Sequence, residues 1–234
     1  MLADVTRKWI GILGEILITL GAVTLSYVGY TLWFTNTISE ITTSSSAQRL
    51  VRQLDAGEPV VIETSEQAET EEAGQVLVPV KPFGLVYIPR LKSDVWEEPL
   101  VKGVYQRALA SGIGYYPSTE MPGESGNFAI AGHRATHGEP FARFERLQQG
   151  DHVYIRTDQG WFQYELVRDK IVQPDEVWVL ADNPKDQGFE PGDRLITLTT
   201  CDPRFNSYQR WIWWGKLTAT YSHDETPAEI QGAG

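Results

Sequence analysis

The sequence predicts a mainly β domain, either a sandwich or a closed barrel, that is held to a membrane by an N-terminal helix and a polar linker. Three observations predict this fold class: an apolar segment near the N-terminus, an acidic stretch after it, and many short β-type runs beyond residue 75. The 13 Pro and 21 Gly among 234 residues imply many turns, which disfavours a helical bundle. The net charge of −11 argues against a nucleic-acid partner, because such a partner requires a basic face.

The apolar segment predicts a transmembrane anchor at residues 9–34, after a cytoplasmic N-terminus at residues 1–8. Its charge-free part would span about 28 Å as a helix, which matches a hydrocarbon core of about 30 Å. Arg7 and Lys8 precede the segment, and no basic residue follows until Arg49. This asymmetry predicts a single-pass protein of the cell membrane with its N-terminus inside and the rest outside. A cleaved signal peptide is the alternative, although the sequence offers only a weak cleavage site for it.

Residues 35–75 differ in composition from both flanks and predict an acidic flexible linker. They contain a Ser/Thr cluster, then a Glu-rich stretch, and no aromatic residue. Such a composition is typical of a solvated segment, and a short helix at residues 47–54 is the alternative within it. The β domain is then predicted at residues 76–222, followed by a polar tail at residues 223–234.

Seven β-type runs separated by turn residues occur within residues 76–222. They cover residues 84–88, 127–131, 152–157, 160–170, 178–180, 194–201 and 210–221. Residues 141–147 predict a short helix, and residues 100–110 predict either a helix or an extended segment. Strands at this spacing favour an all-β domain of about 150 residues.

Three side chains at the ends of predicted strands suit acyl-transfer chemistry. The single cysteine, Cys201, ends one strand, Arg210 begins the next, and His133 follows a third. Antiparallel pairing would place Cys201 beside Arg210 at one rim. A thiol, an imidazole and a guanidinium are sufficient to attack a carbonyl, protonate a leaving amine and stabilise an oxyanion. Each residue alone also has a structural interpretation, as a small buried side chain, a surface charge or a turn residue.

Three motifs in this order resemble those of the sortase family. Residues 123–134 (GESGNFAIAGHR) resemble the sortase histidine motif, and residues 140–144 (PFARF) also match the family. Residues 198–201 (LTTC) resemble the TLxTC motif, and Arg210 lies where the family has its catalytic arginine. The resemblance extends over residues 84–221 and implies a closed eight-stranded β-barrel with short helices and the activity of a cysteine transpeptidase.

The resemblance also implies roles and partners. Cys201 would be the nucleophile, His133 the general acid and base, and Arg210 the clamp for the oxyanion and the substrate. The family cleaves a C-terminal sorting signal, here LAxTG- or LPxTG-like, between Thr and Gly through a thioacyl intermediate. The implied partners are surface proteins with that signal, an amine of a peptidoglycan precursor, and membrane lipid through the N-terminal helix. An exported cysteine hydrolase and a catalytically silent anchored β-barrel module are the rival interpretations.

The class and the substrate contacts are predicted from fewer residues. The anchor, the pair Tyr115-Tyr116 and the Trp-rich strand after Arg210 are similar to class E sortases of high-GC Gram-positive bacteria, with classes D and F as alternatives. Tyr115, Thr199 and Thr200 are the predicted substrate contacts, with core packing and ordinary β-strand formation as the alternative.

Two further expectations concern charge. No metal and no cofactor are predicted, because the remaining histidines show no ligand spacing with carboxylates and the acidic clusters do not resemble a calcium loop. Asp202 follows Cys201 directly and would oppose formation of the thiolate if its carboxylate faced inward. We therefore expect Asp202 to face solvent.

Overall fold

The structure is a computed structural model that describes residues 2–30, 35–62, 80–136 and 138–232. Its helices are α1 (Leu2–Gly29), α2 (Thr35–Asp55), α3 (Gln106–Leu109) and α4 (Ala228–Gln231). Its strands are β1 (Pro82–Tyr87), β2 (Glu98–Lys102), β3 (Ile113–Tyr115), β4 (Gly126–Ala131), β5 (His152–Thr157), β6 (Gly160–Val172), β7 (Arg194–Asp202) and β8 (Gln209–Tyr221). Short 3-10 helical segments lie at Pro89–Leu91, Phe144–Arg146 and Val177–Leu180.

The eight strands form one closed barrel in the order β1-β2-β3-β4-β7-β8-β6-β5. The pairs β2–β3 and β4–β7 are parallel, and the other pairs are antiparallel. Closure leaves no free sheet edge for pairing with another chain. The prediction of a closed eight-stranded barrel is confirmed.

The interior of the barrel is filled by every second side chain of the strands. In β7, Ile196 and Leu198 belong to this core, whereas Leu195 belongs to a cluster on the outer face. In β8, Trp213 faces the core and Trp214 the outer cluster. This alternation follows from the period of two in a strand, and it assigns the residues of β7 and residues 209–217 of β8, before the bulge in that strand, to one of the two faces.

The linker prediction and the structure differ in the first part of residues 35–75. Residues Thr35–Asp55 form α2, which contacts β1 and β2, and residues 63–75 lie outside the described residues. Ala47, Leu50 and Leu54 are buried because their helical spacing places them on one side of α2. The predicted polar tail also contributes a buried side chain, Ile230 of α4, to the same cluster.

Several local predictions are corrected by the structure. Residues 178–180, predicted as a strand, belong to the 3-10 segment Val177–Leu180. A run of four apolar residues does not distinguish a short strand from a helical turn, and here the carbonyl of Val179 accepts a hydrogen bond from Trp214 Nε1 at 3.0 Å. The predicted helix at 141–147 is reduced to Phe144–Arg146.

Among the described residues, one helical segment is long and apolar enough to cross a membrane. It covers Trp9–Gly29, with a mean hydropathy of 1.7 and none of its 18-residue window buried. Residues 31–34 of the predicted anchor lie outside the described residues. The segment therefore remains a candidate membrane anchor by its length and composition.

Candidate active site

Cys201 and Arg210 lie directly opposite each other on two neighbouring strands. β7 and β8 pair antiparallel without a bulge from Leu195–Lys216 to Asp202–Gln209, and this register joins Cys201 to Arg210. Directly opposite side chains on such a pair lie on the same face of the sheet. The half-buried thiol and the guanidinium are thus cross-strand neighbours.

His133 leaves the strand on the other side of β7. β4 runs parallel to β7, with Ala131 beside Thr199, and the amide of Gly132 donates to the carbonyl of Thr199 at 3.2 Å. The hydroxyl of Thr200 donates to the carbonyl of Gly132 at 2.8 Å. These bonds extend the register past the end of β4, so the chain at His133 runs alongside the end of β7 that carries the thiol.

Gly132 is required at the turn from β4 into His133. A Cβ atom at this position would lie 2.7 Å from the ring of Phe141, which is fully buried. The amide of Phe141 in turn donates to the carbonyl of His133 at 3.0 Å. The buried ring therefore fixes the backbone on both sides of His133.

The thiol and the guanidinium face the outside of the barrel. Leu195 and Ile212 belong to the outer cluster. Cys201 faces the same side of β7 as Leu195, and Arg210 faces the same side of β8 as Ile212, because each pair is separated by an even number of residues. Arg210 Nη1 donates to the carbonyls of Ser207 and Gln209, at 2.9 and 2.8 Å. Among the described residues, the guanidinium is therefore held by carbonyls of its own loop and not by a carboxylate.

The three predicted substrate contacts have different locations. Tyr115 is 5% exposed, stacks on Phe128 inside the barrel and donates its hydroxyl to the carbonyl of Thr119. Burial raises the pKa of the Tyr115 phenol. Thr200 is also buried, on the face opposite to the thiol. Thr199 lies on the same face as Cys201 and is 5% exposed.

The residue beside Thr199 is the next tyrosine rather than the predicted one. The hydroxyl of Tyr116 lies 3.3 Å from Thr199 Oγ1. Because successive strand residues face opposite sides, the sequence pattern Tyr115-Tyr116 left open which ring faces outward. The structure places Tyr116 beside Thr199 at the outer face and Tyr115 inside the barrel.

The expectation for Asp202 is also corrected. Its side chain is 16% exposed and forms an ion pair with Arg134 Nη1, so the carboxylate does not face solvent. Arg134 directly follows His133 and is 8% exposed. Sequence reasoning included Arg134 in the histidine motif but gave it no role, because its partner is 68 residues away in the chain.

A second buried polar contact positions the outer cluster. Asn127 Nδ2 donates to the carbonyl of Ala181 at 3.0 Å, and its Oδ1 accepts from the hydroxyl of Thr197 at 2.7 Å. These bonds join β4 and β7 to the segment that follows Val177–Leu180. Among the residues that the structure describes, no group of three or more His, Cys, Asp or Glu side chains could hold a metal ion.

Comparison with known protein families identifies the family to which the chain belongs. The sortase domain matches residues 86–218, more than half of the chain, and the match includes Cys201, His133 and Arg210. The chain belongs to the sortase family. Sortases are cysteine transpeptidases.

Curated relatives agree with this assignment. Sortase SrtE1 of Streptomyces coelicolor is 35% identical over 213 residues, which cover 88% of this chain and 56% of the relative. Sortase SrtE2 of the same organism is 31% identical over 236 residues, which cover 95% of this chain and 88% of the relative. The chain thus spans just over half the length of the first relative. The resemblance to class E sortases is confirmed.

Solved sortase structures have the same barrel. Sortase E1 from Streptomyces coelicolor, with a tripeptide in the active site, is 35% identical, and the match has a TM-score of 0.59. Sortase E from Streptomyces avermitilis is 37% identical with a TM-score of 0.58. In both cases the match covers 65% of this chain and 99% of the solved chain. The barrel is therefore of the sortase type.

Proposed function

We propose that the chain is a membrane-anchored transpeptidase. It cleaves an LAxTG- or LPxTG-like C-terminal sorting signal between Thr and Gly, and it transfers the protein to a cell-wall amine. The observation that carries this proposal is the register that joins Cys201 to Arg210 on the outer face, with His133 on the next strand. Membership of the sortase family supports the same activity.

The first half of the reaction uses all three side chains. The thiolate of Cys201 attacks the threonyl carbonyl carbon, and the carbonyl oxygen gains the negative charge. Arg210 donates hydrogen bonds to that oxyanion. The C–N bond to Gly then breaks, and protonated His133 gives its proton to the departing amine. A thioester on Cys201 and a free Gly N-terminus result.

The second half reverses the proton movement. Neutral His133 accepts a proton from the incoming amine, whose nitrogen attacks the thioester carbon. Arg210 again stabilises the oxyanion, and the C–S bond breaks to release the thiolate of Cys201. The product is an amide between the threonyl residue and the acceptor. Water replaces the amine when no amine is present, and the product is then a carboxylic acid.

The outer face beside Cys201 supplies the binding groove. Thr199 and Tyr116 lie along this face, in line with the thiol. The tripeptide in the active site of the Streptomyces coelicolor sortase E1 structure supports a peptide ligand at this face. We assign the substrate contacts to Thr199 and Tyr116 on this ground.

The membrane anchor places the reaction outside the cell. The segment Trp9–Gly29 inserts into lipid, and Arg7 and Lys8 keep the N-terminus in the cytoplasm. The barrel then meets surface proteins that carry a sorting signal and the amine of a peptidoglycan precursor. Tethering raises the effective concentration of membrane-bound reactants.

The test uses the full chain in detergent micelles with a quenched fluorescent peptide that contains LAETG. Triglycine is added as the amine, and mass spectrometry identifies the products. We expect cleavage between Thr and Gly, a ligated triglycine product, and loss of both in Cys201→Ala. Because Cys201 is the single cysteine, no other thiol can replace it.

Other outcomes would assign the chain to the rival functions. Cleavage that persists in Cys201→Ala would remove the thiol from the reaction. Cleavage without a ligated product, at a rate that triglycine does not change, would indicate a hydrolase. No turnover of LAETG or LPETG peptides by the folded chain would indicate a silent module.

A further inference from the structure

A buried guanidinium lies at the mouth of the barrel, behind the candidate active site. Arg134 Nη1 pairs with Asp202, and Nη2 lies 3.2 Å from a carboxylate oxygen of Glu145. The guanidinium carbon lies 5.0 Å from the ring centre of Trp211. We call Arg134, Asp202, Glu145 and Trp211 the mouth cluster.

Three members of the mouth cluster are the chain neighbours of the catalytic candidates. Arg134 follows His133, Asp202 follows Cys201, and Trp211 follows Arg210. Successive residues of a strand face opposite sides, so Asp202 and Trp211 face inward from β7 and β8, whereas Cys201 and Arg210 face outward. Arg134 contacts both Asp202 and Trp211 and therefore lies on their side. Trp211 indeed packs against the barrel core.

We propose that Arg134, together with Asp202 and Trp211, positions the three catalytic groups relative to one another. Arg134 joins the end of β4 to the end of β7 and the start of β8, the three places from which these groups project. A displacement of one strand end by about 1 Å is enough to reduce turnover about 100-fold. This inference rests on the proposed function, and it adds residues that contact no substrate.

Other contacts hold the mouth cluster itself in place. Arg204 Nε donates to the carbonyl of Arg134 at 3.0 Å. Trp211 Nε1 donates to Asp169 at 2.8 Å, and its ring packs edge-on against Phe144 at 5.7 Å. Arg134 is thus fixed through its backbone carbonyl, through the ion pairs of its guanidinium and through stacking of that guanidinium on Trp211. An arginine held in this way suits a positioning role.

The ion pair has an electrostatic consequence for the thiol. An unpaired carboxylate on the residue next to Cys201 would disfavour the thiolate, and the charge of Arg134 offsets it. Among the described residues, the other charged or titratable groups near this strand end are His133, Arg210, Glu145, and the ion pair of Arg204 with Glu139, whose arginine also donates to the carbonyl of Arg134. Arg134 and Asp202 therefore have opposite effects on thiolate formation, although both contribute to positioning.

The barrel contains a matched control far from the thiol in the fold. Arg156 is also 8% exposed, also lies 5.0 Å from a tryptophan ring, that of Trp161, and also pairs with an aspartate, Asp55, at 2.6 Å. We call these three residues the side cluster. None of them is adjacent in the chain to Cys201, His133 or Arg210.

The first measurement compares Arg134→Met with Arg156→Met in the full chain in detergent micelles. With the LAETG peptide, and at a temperature where circular dichroism shows both variants folded, we expect kcat to fall about 10- to 100-fold in Arg134→Met. KM changes less than about threefold, since Arg134 does not contact the peptide. Arg156→Met keeps kcat within about twofold of the wild type.

The second measurement follows alkylation of Cys201 by iodoacetamide against pH, which requires no peptide. The midpoint rises in Arg134→Met, where the Asp202 carboxylate is unneutralised, and falls in Asp202→Asn. Arg156→Met leaves it unchanged. Asp202→Asn also lowers kcat, so the inference stays testable if Arg134→Met does not fold.

Three results would overturn the inference. They are a folded Arg134→Met with wild-type kcat, an equal loss of kcat in Arg156→Met, and alkylation midpoints that do not move in opposite directions in Arg134→Met and Asp202→Asn. A wild-type chain that leaves the peptide intact would contradict the proposed function instead, and the alkylation midpoints would still decide the role of Arg134.

Discussion

The mouth cluster and the side cluster use the same three residue types in different surroundings. Each places a buried arginine over a tryptophan and pairs it with an aspartate. At the mouth, the opposite face of the strands carries Cys201 and Arg210. At the side, the ion pair joins β5 to the end of α2. The same combination of ion pair and stacked arginine thus lies behind the candidate catalytic groups in one region and holds the helix α2 in the other. What differs is the structure on the neighbouring face of the strands.

The two regions also differ in what covers the outer face of the barrel. Ala47, Leu50 and Leu54 of α2, together with Ile230, pack on Leu85, Tyr87 and Trp161, which face outward from β1 and β6. The carboxylate of Glu229 in α4 accepts from the hydroxyl of Tyr154 at 2.7 Å. On the outer face of β7, by contrast, Cys201 remains partly exposed. Substitutions at the mouth should therefore change turnover, and substitutions under α2 should change stability.

After Cys201 itself, the largest expected effect is at His133. In His133→Ala, cleavage of the LAETG peptide falls about 10²- to 10⁴-fold, because no group then moves the proton to and from the amine. Steady-state kinetics measure the loss, and the melting temperature stays near that of the wild type. Normal kinetics in the folded variant would mean that another residue moves the proton.

Arg210 is the next most sensitive position. In Arg210→Ala, kcat falls about 10²- to 10³-fold through the lost oxyanion donor, while the fold is retained. Arg194→Ala is the matched control, because Arg194 is an exposed arginine at the far end of the same strand pair. Equal turnover in both variants would remove Arg210 from the mechanism.

Leu54 tests the covering region. Leu54→Ala lowers the free energy of unfolding by about 2–4 kcal/mol, because it leaves a cavity between α2 and the barrel. Urea titration measures this loss, and kcat stays within about twofold of the wild type below the melting transition. Gln48→Ala, at an exposed position of α2, is the control and leaves the stability nearly unchanged. A loss of kcat in folded Leu54→Ala would break the distinction between the two regions.

Glu98 tests the pH dependence of stability. It lies on β2 opposite the core residue Val86, and burial raises the pKa of Glu98 from 4.5 to about 8. The folded chain then keeps a proton that the unfolded chain releases near pH 4.5. The contribution of Glu98 to the free energy of unfolding is thus fully present below about pH 4.5, and it is lost as the pH rises to about 8.

Urea titrations between pH 5 and 8.5 measure this slope. Glu98→Gln removes its contribution, because the amide does not titrate, whereas the exposed Glu58→Gln leaves the slope in place. An unchanged slope in Glu98→Gln would show that burial at β2 does not control the titration. Neither variant is expected to change kcat at a fixed pH.

Prediction from the sequence succeeded where the information is local. The alternation of residues 194–201 and the loop before Arg210 predicted two strands, which the structure has. Their pairing is antiparallel, the arrangement that would bring Cys201 beside Arg210. For the region of α2, the sequence favoured a flexible linker and offered a helix only at residues 47–54 as the alternative. The reason is that Ser and Thr favour turns and caps over helix interiors. Packing of Leu50 and Leu54 on the barrel outweighs that local preference.

The sequence did not predict which way certain side chains point or which residues, distant along the chain, they contact. Tyr115 and Tyr116 are equivalent in the sequence, and only the register of β3 in the closed barrel places one ring inside and the other at the surface. Asp202 was expected in solvent because its partner, Arg134, is 68 residues away. A one-residue change of register would have exchanged these faces.

The amino-acid sequence by itself determined the candidate anchor and a β-rich domain, since hydrophobic periodicity is a property of the chain. Its motifs, by their resemblance to those of sortases, implied the closed barrel and indicated Cys201, His133 and Arg210 as the groups to examine. Only the tertiary structure decided that α2 covers one side of the barrel and that Arg134 lies behind the thiol. Both depend on closure of the barrel, because closure brings residues distant in the chain to the same face of neighbouring strands.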